Sequence, residues 1–304
     1  MKKNKTHRIK TISELHEIQG LPKPEHPLIS VISVEDYHKT AQKELNNIVL
    51  NFYSITIKRA LNIQFKYGQQ EYDFNDGVMF FMAPNQVFSI KIEENTKQSG
   101  YILLFHPDFL WNTSLAKTIK KYEFFDYSVN ESLFLSEKEE TIIKNIIQNI
   151  KQEYHSNIDK FSQDIIISQI ETLLNYSERF YSRQFITRKI INHTILNRLE
   201  NILTDYFNNN DLAKQGLPTV QFIAGSLNVS PNYLSGLLKV LTGQNTQQHI
   251  HNKLIEKAKE KLSTTDLSVN EIAYELGFEY PQSFSKLFKA KTNLSPLEFR
   301  HSFN

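Results

Sequence analysis

The sequence predicts an α+β protein of two domains, a β-rich N-terminal domain with trailing helices followed by an all-α C-terminal domain. A chain of 304 residues is too long for one small core and suits two domains of ordinary size. Between residues 49 and 105, short alternating and β-branched runs, separated by turn residues, are typical of β-strands. From residue 136 onward, apolar side chains recur every three or four residues, which is the spacing of amphipathic helices.

The composition limits the classes of function that fit the chain. With 40% hydrophobic residues it can bury a substantial core, and its formal net charge of +2 excludes a polybasic coating protein. Because there is no cysteine, disulfides, thiolate metal sites and cysteine nucleophiles are excluded. No apolar run approaches the length of a membrane span, and none follows the basic start of the chain. We therefore predict a soluble cytoplasmic protein without a membrane partner.

The chain divides into segments of different character. Residues 1–30 mix Lys, His and Pro with little periodicity and predict a loosely ordered arm. Residues 31–181 form the predicted β-rich domain, whose six or seven short strands suggest a small barrel or sandwich. The polar and basic residues 182–194 are the predicted linker, and residues 195–304 form the predicted second domain.

Two amphipathic helices are expected to close the N-terminal domain. The first, over residues 136–154, begins with the capping-box sequence Ser136-Glu-Lys-Glu139, and the second covers residues 161–180. Either these helices cover the core of their own domain, or their isoleucine stripes face a second subunit. The second alternative predicts a homodimer in which Ile150 and Ile170 are exposed on the monomer.

The β-rich domain also offers candidates for a small-molecule site. Its aromatic residues either line a ligand-binding interior or form ordinary core, and ordinary core is the simpler interpretation. An enclosed cavity with unpaired polar groups would distinguish a sensor from a pure dimerisation scaffold. The candidate effector-binding residues are Phe52, Phe65, Tyr72, Phe74 and Phe80.

Nothing in the sequence points to catalysis. The one His-x-His pair, His249-Ile-His251, lies on a predicted helix, where residues two apart point to nearly opposite sides and do not chelate one ion. The glycine-rich phosphate loop and the nucleophile elbow of hydrolases are both absent. We therefore predict no enzymatic activity, no cofactor and no metal.

The C-terminal domain repeats itself after about fifty residues. Each copy has a small residue where two short helices cross, a turn residue that tolerates positive φ, and an apolar residue that points back into the core. These residues are Ala224, Asn228 and Val229 in the first copy and Ala273, Gly277 and Phe278 in the second. The pattern is that of a helix-turn-helix, whereas a helical solenoid usually needs three or more copies.

The helix ends agree with this interpretation. Pro231 and Pro281 stand in the first turn of each second helix, where the missing N–H costs nothing. Capping boxes are predicted at Ser268-Val-Asn-Glu271 and at Ser295-Pro-Leu-Glu298. Between the two copies, residues 247–262 predict one uninterrupted helix. Such a rigid connection would hold two recognition helices about one DNA turn (roughly 34 Å) apart, so that each enters a successive major groove.

Residues 218–300 resemble the DNA-binding domain of the AraC family of bacterial transcription regulators. The match is carried by Glu271-Ile-Ala-Tyr-Glu-Leu-Gly-Phe278, Ser283-Phe-Ser-Lys-Leu-Phe-Lys289 and Ser295-Pro-Leu-Glu-Phe-Arg300, and it covers roughly a third of the chain. The preceding region is similar, mainly around residues 77–86, to the cupin-like sensing and dimerisation domain that often accompanies it.

This resemblance implies a sequence-specific regulator, more often an activator, that binds double-stranded promoter DNA and contacts RNA polymerase. It also implies a homodimer and a small-molecule effector. The alternative is a small-molecule-binding, cupin-like module whose DNA-binding domain serves only as a constitutive anchor.

The resemblance further implies which residues contact DNA, since exposed positions early in a recognition helix reach base edges. The implied base readers are Asn232, Ser235, Gln282 and Lys286, the implied phosphate contacts are Lys239 and Lys289, and Tyr233 and Ser283 complete the predicted DNA-binding set.

Some positions depart from the family pattern. Gly236 and Pro281 lack the polar side chain expected at a reading position, so the first unit is expected to read fewer bases or to depend on DNA shape. Asn293 replaces a usual Gly, but Asn also tolerates positive φ, so the turn is expected to survive. From residue 195 onward there are eleven Lys or Arg and ten Asp or Glu, so any basic surface has to come from local clustering.

Overall fold

A computed structural model describes residues 7–36, 45–60, 64–67, 70–73, 77–90, 98–128, 131–156, 159, 161–187, 189–209 and 212–302. The chain forms two compact units, residues 1–184 and residues 185–304. The first contains the β-sheets and the second is helical, as the sequence predicts. Among the described residues, none of the helices carries an apolar stretch long enough to cross a bilayer.

The strands of the N-terminal unit form three sheets. In chain order the described strands are β1 (His7–Ile9), β2 (Ile29–Ser33), β3 (Leu45–Leu50), β4 (Tyr53–Ala60), β5 (Gln64–Tyr67), β6 (Gln70–Asp73), β7 (Gly77–Met82), β8 (Val87–Ile90), β9 (Gln98–Phe105) and β10 (Leu133–Leu135). The largest sheet has the order β10-β7-β4-β9-β2, the second has the order β1-β3-β8, and β5 and β6 pair as a hairpin. Strands β3 to β9 confirm the strand-rich stretch that the alternating pattern predicts.

The first thirty residues differ from the sequence-based expectation. From His7 onward they are an ordered part of the unit, with β1 paired in parallel with β3. Helix α1 (Ile12–Gln19) follows, with the Thr11 side chain accepting a hydrogen bond from the backbone N–H of Glu14. Ile9 and Ile12 are completely buried in a core that also contains Phe52. The prediction of a loose arm is wrong here because a short strand paired with a distant partner leaves no periodic signal in the sequence.

Two long helices pack in the same unit, after the short helix α2 (Ser114–Thr118). They are α3 (Glu137–Tyr154), which begins with the predicted capping box at Ser136 and Glu139, and α4 (Ser162–Thr187). Ile150 and Ile170 are both completely buried. Because α3 packs on β2, β9 and β10, its isoleucine stripe covers the sheet of its own unit. The prediction that these two residues are exposed for dimerisation is therefore wrong.

The end of α4 is fixed to the edge strand β10. The buried Gln184 amide accepts a hydrogen bond from the Phe134 N–H at 2.8 Å and donates one to the Ser132 carbonyl at 3.2 Å. Arg183 donates to the Phe134 carbonyl at 2.7 Å and forms an ion pair with Glu139 at 2.6 Å. These side chains satisfy backbone groups that an edge strand would otherwise leave open.

The described residues of the predicted linker are helical. Residues 182–187 complete α4, and α5 (Lys189–Asn209) begins two residues later. The two compact units divide within this range, between Gln184 and Phe185. The helical state is consistent with the sequence, since residues 182–194 contain neither Gly nor Pro.

The C-terminal unit surrounds one apolar core. After α5 its helices are α6 (Leu212–Gln215), α7 (Val220–Leu227), α8 (Pro231–Thr242), α9 (Thr246–Thr264), α10 (Val269–Glu275), α11 (Pro281–Thr292) and α12 (Pro296–His301). The predicted inward face of α9 is confirmed, because Ile250, Leu254 and Ala258 are completely buried. This helix lies between two similar helix pairs, α7 with α8 and α10 with α11.

Candidate nucleic-acid interface

The two helix pairs have the same turn geometry. In the first pair Asn228 adopts φ 58°, and the next residue, Val229, donates its N–H to the carbonyl of Ala224 at 3.0 Å. In the second pair Gly277 adopts φ 83°, and Phe278 donates its N–H to the carbonyl of Ala273 at 3.0 Å. Both alanines are completely buried, as expected where two short helices cross. The predicted positive-φ turns and small crossing residues are confirmed.

The second turn also requires glycine for space. A Cβ atom built on Gly277 would lie 2.7 Å from the backbone carbonyl oxygen of Leu212 in α6. Gly243, which ends α8 at φ 74°, has nothing within 4 Å of such an atom. Asn293 ends α11 at φ 63°, so the expected tolerance of this Asn for the turn is confirmed.

Capping side chains fix where the helices begin. The predicted capping boxes at Ser268 with Glu271 and at Ser295 with Glu298 are both formed. Hydrogen bonds from the Ser268 side chain and backbone lower the pKa of the Glu271 carboxyl, which keeps it ionised and able to accept them. These caps fix the first turns of α10 and α12, the helices that precede and follow α11 in the chain.

One face of α11 is exposed and polar. Phe284 and Phe288 are completely buried and attach the helix to the core. The opposite face carries exposed side chains from its first two turns and beyond, namely Gln282, Ser283, Lys286 and Lys289. All four positions are those predicted to face DNA.

The charges of the connecting helix and of α11 are arranged differently. On α9, Lys253 forms an ion pair with Glu256 at 3.6 Å and Lys257 with Glu260 at 2.8 Å. Lys261 of α9 reaches Glu275 of α10 at 2.7 Å. In the described part of the chain, by contrast, Lys286 and Lys289 form no ion pair, and neither does Lys239 of α8. The second helix of each pair therefore carries described lysines without an ion pair, although the domain as a whole is nearly neutral.

Fewer side chains of helix α8 are exposed to solvent than the sequence predicts. Tyr233 is only 8% exposed, and its ring lies edge-on to Phe185 at 5.2 Å, so the prediction that it is exposed at the start of α8 is wrong. It extends the apolar face formed by Leu234 and Leu237, both of which are buried as the sequence predicts. The Ser235 hydroxyl is 3.0 Å from that of Thr246, so it already has a hydrogen-bond partner.

Asn232, the other predicted base reader on α8, is half-buried in the first turn, and Ser235 is also half-buried. Lys239 is exposed in the last turn.

One exposed residue was missed by sequence reasoning. Tyr280 precedes α11, is 61% exposed and provides no side-chain cap to the helix. Its counterpart before α8 is Ser230, whose hydroxyl accepts the N–H of Tyr233 at 3.2 Å. The signal in the sequence is an aromatic residue at a position where a capping residue is usual.

Among the candidate effector residues of the N-terminal unit, the surroundings of Phe52 and Phe80 are described, and they differ. Phe52 is completely buried among aliphatic side chains. Phe80 is half-buried, with the Lys58 ammonium 5.4 Å from its ring centroid. Phe65 and Tyr72 are opposite each other in the β5–β6 hairpin, and Phe74 lies outside the described residues. For Phe52, ordinary core is the interpretation that the packing supports.

The two histidines of the His-x-His pair have separate partners. His249 Nε2 lies 2.9 Å from the Thr242 hydroxyl, and His251 Nε2 lies 2.9 Å from the Gln247 amide nitrogen. The absence of a metal stays a prediction.

Comparison with known proteins gives one family match, a helix-turn-helix domain at residues 223–302. A lactose operon transcription activator from Staphylococcus xylosus is 25% identical over 83% of this chain and 87% of its own length. An uncharacterised helix-turn-helix-type transcriptional regulator, YfiF of Bacillus subtilis, is 27% identical over 69% of this chain and 56% of its own. The domain match and these regulators confirm the prediction that the chain is not an enzyme.

A histidine kinase from Formosa agariphila is 24% identical over 90% of this chain, which corresponds to 18% of the kinase. The chain thus spans less than two thirds of the length of several curated relatives that it matches. The activity of those longer proteins does not transfer to it.

Proposed function

Because residues 223–302 form a helix-turn-helix domain of the AraC family, we propose that the chain is a sequence-specific transcription regulator that reads promoter DNA with α8 and α11. The two helix pairs share one turn geometry and are joined by the single helix α9. A rigid connection of this kind places two recognition helices in successive major grooves on one face of the duplex.

The observation that carries this proposal is the polar face of α11. It combines an amide, Gln282, with the unpaired cations Lys286 and Lys289 on an exposed helix surface. An amide and a lysine in the first turns suit base edges in the major groove, and a lysine further along suits a phosphate. Tyr280 extends the same surface at the start of the helix.

Helix α8 is assigned the smaller share of base reading. Its polar side chains near the start, Asn232 and Ser235, are both half-buried, and Gly236 contributes none. Lys239 is positioned for a phosphate. We expect the half-site under α8 to be read partly through DNA shape.

The wider role follows from the family. We propose an activator that works in the bacterial cytoplasm, binds its promoter as a homodimer and contacts RNA polymerase there. Residues other than Ile150 and Ile170 have to form the dimer interface, because both of these are buried.

The proposed control is by a small molecule. A relative that aligns over 87% of its own length is named for activating a lactose operon. We propose that this chain responds to a sugar, bound by its N-terminal unit. The effector shifts DNA binding only by the difference in its affinity for two arrangements of the protein.

Two lysines of α11 should behave differently on substitution. Lys286→Ala is expected to weaken binding to the preferred sequence by about 1–3 kcal/mol and to relax base preference at one position. Lys289→Ala should weaken binding to preferred and random duplexes alike and reduce the slope of log affinity against log salt by about 1, because one phosphate contact is lost. Affinities measured over a range of salt concentrations for both duplexes test this.

The matched control is Lys257→Ala on α9. It also removes a lysine from the same unit, but Lys257 is paired with Glu260 and lies outside the proposed interface. Its DNA affinity should equal that of the wild type. If Lys286→Ala behaved like this control, the assigned reading face of α11 would be wrong.

A further inference from the structure

A groove of about 530 Å³ lies in the N-terminal unit, away from the aromatic residues considered above. Four segments meet there: the chain before β2, the turn after β9, the end of α3 and the start of α4. Its floor is apolar, with Ile29, Phe109, Tyr154 and Ile166 all at least nine-tenths buried. This volume is within the range of small-molecule pockets.

Trp111 lines this groove, and its side chain is 79% exposed. It is the single tryptophan of the chain. A large aromatic side chain contributes most to stability when it is buried, so the packing of the fold does not explain this exposed position. An exposed indole beside a groove offers a flat surface on which the apolar face of a ligand can stack.

The polar groups of the groove include both hydrogen-bond acceptors and donors. Asp108, Glu153 and Asp159 contribute carboxylates, and the described lining contains no Lys or Arg. The Glu153 carboxylate forms no ion pair with any described residue. Asn112, at φ 63°, adds an exposed amide.

His26 supplies a further donor. Its Nδ1 accepts the backbone N–H of Leu28 at 3.1 Å, so in the neutral ring the proton is on Nε2. Burial lowers the pKa of His26, which favours that neutral form. The ring is held edge-on against Phe109 at 5.5 Å, so its orientation is fixed.

We propose that this groove is the site of a mono- or disaccharide, with one sugar ring stacked on Trp111 and its hydroxyl groups bonded to Glu153, Asn112 and His26. The proposal rests on the sugar response proposed above and assigns it to an outer groove of the N-terminal unit.

The chemistry of the lining separates a sugar from other ligands. Each sugar hydroxyl both donates and accepts, so it satisfies a carboxylate and an N–H group at once. A hydroxyl that donates to a carboxylate forms a charge-assisted hydrogen bond, about twice as strong as a neutral one. An organic amine only donates, so it would gain no hydrogen bond from the N–H groups of His26 and Asn112. An anionic ligand is repelled by the three carboxylates.

The position of the groove also offers a route for control. Asp159, Ser162 and Gln163 lie at the start of α4. The same helix continues for 26 residues, and the two compact units divide at Gln184 and Phe185 near its end. A ligand that orders the first turn of α4 therefore acts on the helix that leads into the DNA-binding unit.

Intrinsic tryptophan fluorescence, excited at a wavelength that tyrosine does not absorb, tests the proposal directly because Trp111 is the single tryptophan. The full chain is titrated with lactose, raffinose and galactose, each at millimolar concentrations. At least one should shift the emission to shorter wavelength in a saturable way, since stacking removes water from the indole. Calorimetric titration with the same sugar should show about a tenfold or greater loss of affinity in Trp111→Ala.

Further variants separate stacking from hydrogen bonding. Glu153→Gln, which keeps the shape but not the charge, should lose affinity several-fold while the spectral shift at saturation persists. Gln152→Glu, an exposed neighbour on α3 outside the lining, should leave sugar affinity unchanged. Each variant should retain its thermal unfolding midpoint and its affinity for DNA.

Three outcomes would overturn the proposal: no spectral or calorimetric response to any of these sugars, a response to putrescine or choline instead, or a sugar response that survives in Trp111→Ala. DNA affinity is measured on the same preparations. Intact sequence-specific DNA binding without a sugar response would refute the groove alone and leave the proposed regulator standing.

Discussion

Ile150→Asp is expected to unfold the N-terminal unit and not to yield a folded monomer. Ile150 is completely buried on α3, a helix that packs against the five-stranded sheet. Removing an isoleucine from a core costs about 2–5 kcal/mol, and burying a carboxyl group without a partner costs several more. The sum approaches the whole stability of a typical domain, about 5–15 kcal/mol. Circular dichroism during heating should show loss of the β-rich unit's transition.

The control for this variant is Ile165→Asp on α4. It introduces the same carboxylate at an isoleucine that is 43% exposed. This protein should remain folded, with a transition close to that of the wild type. If Ile150→Asp instead gave a folded monomer, Ile150 would have to lie at a dimer interface. That result would contradict its burial against the sheet.

Gly277→Ala should be the most damaging small substitution in the DNA-binding unit. The residue has φ 83°, where a non-glycine residue costs about 1–2 kcal/mol. In addition, the new methyl group would meet the Leu212 carbonyl at 2.7 Å, and forcing atoms into a packed site costs about 1–3 kcal/mol more. The C-terminal unit should unfold at a lower temperature and bind DNA less tightly.

Gly243→Ala isolates the conformational part of that cost. Gly243 has φ 74°, but its added Cβ would meet nothing within 4 Å. We expect Gly243→Ala to lower the stability of the unit only by the cost of placing a non-glycine residue at positive φ. Equal losses in the two variants would mean that the contact between the second turn and α6 is not tight.

The C-terminal unit could be predicted closely from the sequence because its determinants are local. The capping pairs Ser268 with Glu271 and Ser295 with Glu298 involve residues three apart, and the turn at Gly277 depends on one residue. The helix period then gives the buried face directly. The buried face of α8 is wider than predicted, because it includes Tyr233 beside the predicted leucines.

The N-terminal unit could be predicted only in outline, because its determinants are distant in sequence. Strand β1 pairs with residues 48–50, some forty positions away, and nothing local marks that pairing. A helical stripe shows that Ile150 is buried, but not by which surface. The groove at Trp111 brings together residues from 26 to 166, so periodicity could not reveal it.

The measurement that tests the central claim most directly is selection of bound sequences from a randomised duplex library by the full chain. We predict an enriched motif of two blocks centred about 10 base pairs apart, one for each recognition helix. The double variant Gln282→Ala with Lys286→Ala should lose the stronger block and keep the weaker one assigned to α8. A single compact block, or no enriched sequence at all, would contradict the assignment of α8 and α11 as paired DNA-reading helices.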